Sequence, residues 1–136
     1  MKIVIIDGQG GRMGSLLTAR IKKENLPDTE LFAIGTNSIA TAAMLKAGAD
    51  YGATGENPVL VACRDADYIL GPIGILAADA LWGEVTPAMA AAVGQSCAEK
   101  ILLPVNKCSI HIAGVSDLSI SALVDNAVLH LLSNCT

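Results

Sequence analysis

The apolar residues of this chain follow two alternating rhythms. Continuous runs, "KIVIID" at 2–7, "ELFAIGTN" at 30–37, "ADYILGPIG" at 66–74 and "KILLPVN" at 100–106, are dominated by aliphatic and β-branched residues. Unbroken runs of that length suit parallel strands covered on both faces rather than strands with one wet face. Between them the apolar positions recur every three or four residues. From Gly11 to Lys23, Met13, Leu16, Leu17 and Ile21 share one face, and Arg20, Lys22 and Lys23 occupy the last turn, where cations suit the helix dipole. Pro27 ends any continuation.

The same alternation continues to the end of the chain. Asn37 or Ser38 caps a helix running through Ala47, with Gly48 as its stop signal. "ADYGAT" is a third strand, and "ENPVLVAC" a short helix in which Asn57 and Pro58 form an N-cap and first-turn pair. Thr86 and Pro87 repeat that logic before a helix ending near Cys97, and "HIAGV" at 111–115 reads as a sixth strand. The last helix has the cleanest stripe: Ile120, Leu123, Val124, Ala127, Val128, Leu131 and Leu132 fall on one face, with Ser121, Asp125 and Ser133 away from it. Strands and helices alternating in this way predict one α/β domain over 1–136. Its expected form is a Rossmann-like, doubly wound, mostly parallel sheet of five or six strands with helices on both faces. Ligands of such sheets bind beyond the carboxyl ends of the strands, so the strand tips become the functional shortlist.

Composition narrows the classes of partner. The 136 residues suffice for one core but not for a nucleotide domain with a separate substrate domain. Hydrophobic residues make up 52% and charged ones 16%, an apolar balance that predicts a subunit interface and hence a homo-oligomer. A net charge of -4, with nine basic residues scattered along the chain, argues against nucleic acid as a partner. No run approaches the ~18 apolar residues of a membrane span, and the first residues lack a signal-peptide pattern, so a cytoplasmic location is expected. Cys63, Cys97, Cys108 and Cys135 stand far apart with no C-x-x-C pair, so no metal site is signalled.

The chemistry concentrates after the first strand. Gly8-Gln9-Gly10-Gly11-Arg12-Met13-Gly14 follows a strand and opens a helix, the context in which a glycine pattern cradles phosphate. Gly8 would permit the turn, Gly10 or Gly11 would let amides approach a phosphate, and Gly14 would let the helix pack on its strand. The competing reading is a strand-to-helix corner with no ligand. After the second strand come Thr36 and Asn37, with no acid for a ribose diol; they either bond a ribose or cap the next helix. Asp7 stands directly before the first glycine. It could substitute for an absent anion, pair with Arg12 or Lys107, or hold a hydroxyl or a water.

The string "GQGGRMG" resembles the nucleotide loop of dihydrodipicolinate reductase. That resemblance implies cofactor contacts of the NAD or NADP type at Gly8, Gly11, Arg12, Met13 and Gly14. The reductases keep catalytic residues in a second domain without counterpart in this sequence, so their chemistry does not transfer. Over its whole length the chain resembles a family of short bacterial Rossmann-like proteins of unknown function, through "IDGQGG", "GTNSIAT", "GATGEN", "GPIGI", "TPAM" and "PVNKC".

The predicted strand tips gather a rim of glycine loop, Thr36, Asn37, Thr54, Glu56, Gly71 to Gly74, Asn106, Lys107 and Cys108. Gly71 and Asn106 join the cofactor-contact candidates. Glu56 could act as an acid or base, or simply start a helix; Lys107 could compensate an anion, or be a solvated surface lysine; Cys108 could be an activated or a structural thiol. Trp82 with Leu81 predicts a lid or a subunit contact. The leading expectation is a protein that binds a nucleotide or dinucleotide phosphate at the glycine loop. A small reductase or transferase completed at a subunit boundary is the second, using Glu56, Lys107, Cys108 or Asp7, and a non-catalytic interaction protein the third.

Overall fold

The computed structural model describes residues 1–105 and 109–135. Five strands, β1 (Lys2–Asp7), β2 (Glu30–Gly35), β3 (Tyr51–Thr54), β4 (Tyr68–Pro72) and β5 (Glu99–Leu103), form one sheet in the order β3-β2-β1-β4-β5. Every pairing is parallel. The helices are α1 (Arg12–Lys22), α2 (Ser38–Lys46), α3 (Glu56–Ala62), α4 (Pro87–Gln95) and α5 (Ile120–Asn134). This is the Rossmann-like fold the sequence predicts.

Strand alternation explains the two faces. Ile3 and Ile5 of β1 point into a core with Leu17 of α1, Met44 of α2 and Val128 and Leu131 of α5. Val4 and Ile6 point the other way, toward Val59 of α3 and Met89 and Val93 of α4. With Ile3, Val4 and Ile5 all fully buried, β1 has no wet face, which is why its apolar run is unbroken. The chain winds outward from β1 through β2 to β3, then crosses back by α3 to β4 on the other side of β1. The reversal between β1 and β4 opens a crevice at their carboxyl ends.

Local capping follows the expected residues in two helices, where Asn37 and Thr86 accept N–H bonds from Ala40 and Met89 at the starts of α2 and α4; Ser119, which the sequence reading did not single out, accepts from Ala122 at the start of α5. In α3 the cap is Gly55, not Asn57; Pro58 then falls at the third helical position, where a missing N–H still costs nothing. The sixth strand does not form. Residues 111–115 lie in an irregular segment where Gly114 adopts φ 82 and Val115 N–H turns back to the Ile112 carbonyl, a reversal no extended strand allows. β5 stops at Leu103 because Pro104 brings no N–H to the ladder. No helix among the described residues is long and apolar enough to cross a membrane.

Gly71 marks a close approach between β4 and β1. A Cβ there would collide with the Ile6 carbonyl oxygen of β1 and press on Ile75. Gly71→Ala is therefore expected to pry β4 from β1 and cost about 3 kcal/mol by overpacking, read as a lower denaturation midpoint in urea.

Candidate functional site

Asp7 ends β1 and is buried, with 6% of its surface exposed. Its Oδ1 accepts the Gly8 N–H at 2.8 Å and its Oδ2 accepts the Gly14 N–H at 2.7 Å. One of those amides belongs to the turn and the other to the first turn of α1, so the carboxylate clamps the corner and faces the positive end of the helix dipole. Of the alternatives for Asp7, these two contacts are those of an internal anion that accepts the loop's own amides.

A second carboxylate, one the sequence did not single out, reaches the same loop. Glu84 Oε1 accepts hydrogen bonds from Gln9 N–H at 2.9 Å, Thr36 Oγ1 at 2.7 Å and Asn37 Nδ2 at 2.7 Å. Asn37 also donates to the Gln9 carbonyl at 2.9 Å while its Oδ1 caps α2. Thr36 and Asn37 thus spend these donors on protein, and the acid missing after β2 arrives from a loop almost fifty residues later. Partial burial alone would push the Glu84 pKa up, but the three hydrogen bonds outweigh it and hold the carboxyl below its ordinary value.

The Glu84 loop is braced from beneath. Ala80, Leu81 and Val85 are buried, and Asp79 N–H bonds the Val85 carbonyl at 2.7 Å. Asp79, Leu81 and Trp82 all adopt left-handed backbone, with φ 65, 56 and 58. Such conformations cost about 1–2 kcal/mol each in non-glycine residues, so burial and the Glu84 hydrogen bonds must offset them. Trp82, at the crest, is 97% exposed.

The loop glycines divide by cause. A Cβ on Gly8 would meet Thr36, and would lie 2.8 Å from both Glu84 Oε1 and Leu81 Cδ1. Gly11 has φ 72 and would meet the Ala40 backbone at 2.8 Å, while Gly14 faces Met44 and lies 2.8 Å from Asp7 Cβ. All three are required by packing. Gly10 differs: its φ is not positive, and a Cβ there would meet nothing within 4 Å.

Between loop, β4 and α5 lies a cleft of ≈ 120 Å³, walled by Pro72, Leu81, Val105 and Ile120 and floored by Asp7 to Met13. Arg12 stands exposed at its rim, and its guanidinium has no partner among the described residues. The N–H groups of Gly10, Arg12 and Met13 likewise have no acceptor among them. Gly71 is absent from this cleft because its free space is consumed by β1. Glu56 is exposed in the first turn of α3, beyond the sheet edge at β3, and does not line the cleft either. Asn106, Lys107 and Cys108 lie outside the described residues. Cys63 is buried and its thiol is pushed up to about 11 by desolvation, only partly offset by Lys2 and Lys100, so it is no nucleophile.

Two substitutions test the two carboxylates. Asp7→Ala leaves two N–H groups unsatisfied at a buried corner and is expected to cost about 3 kcal/mol or more. Glu84 has its pKa lowered on folding, so its contribution is full at neutral pH and is lost as the pH falls through the folded value, below 4.5. Glu84→Gln should lower stability at pH 7 by about 1–2 kcal/mol, with the gap to wild type closing in acid. Chemical denaturation at several pH values reads both.

No curated protein matches the chain. Among solved structures it is similar to a dodecameric FMN-dependent UbiX-like decarboxylase from Escherichia coli O157:H7. The identity is 18% and the TM-score 0.45, over 96% of this chain and 76% of that one. Residues 2–136 match the domain of unknown function DUF3842, and the chain belongs to that family.

Proposed function

We propose that the protein binds a nucleotide across the carboxyl ends of β1 and β2, with phosphate on the glycine loop and ribose on Glu84. Gly10 carries this reading. It is the one loop glycine whose absent side chain nothing in the described structure explains, and its bare backbone faces outward beside free N–H groups of Arg12 and Met13. Amides at a helix start, with a guanidinium at the rim, are a phosphate-binding arrangement.

Glu84 supports the ribose half. Its Oε1 is saturated by three donors, while its Oε2 has no partner among the described residues. A carboxylate at the tip of β2 with one free oxygen suits a ribose diol and repels a 2′-phosphate, so NAD fits better than NADP among dinucleotides. Among the described residues, Arg12 is the cation bordering this loop and Glu84 the carboxylate with an oxygen to spare. Binding without chemistry is the reading for the described residues, because Asp7 is engaged and Cys63 is a buried, protonated thiol. Trp82, exposed on the Glu84 loop, supports a subunit contact bordering the same site.

The discriminating substitution is at Gly10. Gly10→Ala is expected to leave the melting temperature within about one degree of wild type, since its Cβ has open space. It should weaken nucleotide binding at least tenfold, about 1.4 kcal/mol, by covering the amides. Thermal shift and calorimetry with AMP, NAD and NADP read this. Nucleotide binding that is unchanged in Gly10→Ala, or absent from the wild type, overturns the proposal.

A further inference from the structure

A second cavity, of ≈ 320 Å³, lies beside the glycine cleft between Pro104, the segment 111–118 and the first turn of α5. Val105 and Ile120 line both spaces, so they are neighbours across one shared wall. The sizes are complementary. The glycine cleft has room for a phosphate and the atoms next to it, whereas the second cavity falls within the ~300–1,000 Å³ range of small-molecule sites.

Its lining has the composition of a ring pocket. Ile112, Val115, Leu118 and Leu123 supply apolar walls, and Val115 and Leu118 are each 45% exposed. Among the described lining residues only His111, Ser116 and Asp117 are polar, and none of these side chains has a partner among the described residues. Unspent donors and acceptors on apolar walls fit a flat group that needs both stacking surface and a few hydrogen bonds. The Asp117 carboxylate disfavours an anionic occupant.

Position adds the span. Glu84 is bonded at the tip of β2, and this cavity begins past the tip of β5, three strand spacings across the sheet. At ~4.8 Å per spacing that is roughly 14 Å, farther than a ribose and its own phosphate reach. A ligand touching both ends must continue beyond the phosphate, so that the phosphate is doubly substituted.

We infer that the cavity lined by His111, Ser116 and Asp117 is a second subsite, which takes a planar, neutral or cationic ring at the far end of a phosphodiester or diphosphate-bridged ligand. This rests on the nucleotide reading of the glycine loop. The test uses the full chain, with NAD as the extended probe and AMP as the short one, by calorimetry. Val115→Trp fills the cavity from an exposed loop position, so it is expected to raise the NAD dissociation constant tenfold or more and to leave that of AMP unchanged. Asp117→Asn, which keeps size and fold, should reduce a preference for NAD over NADH at least threefold, because the oxidised ring is the cationic one. If wild type binds both probes and neither variant changes NAD binding, the second subsite is overturned while the glycine-loop reading stands. If wild type binds neither probe, both readings fall together. A melting curve of Val115→Trp establishes that it is folded; if it is not, Asp117→Asn decides alone.

Discussion

The corner between β1 and α1 depends on one buried carboxylate. Asp7 holds the amides of Gly8 and Gly14 at once, and the glycine loop is the chain that remains between those two points. A buried charge is tolerated only when it is paired or well hydrogen-bonded, and here the N-terminal dipole of α1 and two N–H donors meet that requirement. The consequence reaches beyond the corner. Asp7 occupies the amides of Gly8 and Gly14, so that among the described residues the N–H groups of Gly10, Arg12 and Met13 are the ones the loop leaves without an acceptor.

Glu84 answers a different problem. A sheet of this kind needs an acid at the tip of β2 to recognise a ribose, and this chain has Thr36 and Asn37 there instead. Those two side chains do not replace the acid; they hold one brought in from the loop before α4. Gly8 must be glycine largely because this arrangement leaves no room for a Cβ, being crowded by Thr36, Glu84 and Leu81 together. What looks in the sequence like a phosphate motif is at Gly8, Gly11 and Gly14 a record of packing.

Much of the fold was legible because its signals are local. Unbroken apolar strands, the caps at Asn37 and Thr86 and the stripe of α5 are each written within a few residues. "HIAGV" misled because a short β-branched run says nothing of the left-handed backbone that Gly114 adopts. The site was legible only in part. The loop, Asp7, Thr36 and Asn37 could be placed at strand tips from the sequence, but their partners could not, since Glu84 lies 75 residues from Gln9 and 48 from Thr36. Its only sequence signal was an acid following Gly83 in a loop otherwise rich in apolar residues, and that pattern is equally the mark of an ordinary turn.

The two carboxylates differ in how firmly the fold holds them. Asp7 sits at the end of a fully buried strand, paired on both sides, and can leave only if β1 leaves. Glu84 sits on a loop with three left-handed non-glycine residues, whose strain is balanced by local burial and by the hydrogen bonds that Glu84 itself makes. Charge therefore enters this site in two grades, one built into the sheet and one maintained by Gln9, Thr36 and Asn37. Any ligand that bonds those three donors competes directly with Glu84 for them, whereas a ligand that uses its free Oε2 adds to the balance. Recognition through the second route leaves the loop where it is, and that is the physical reason to read Glu84 as part of a binding site rather than as its occupant.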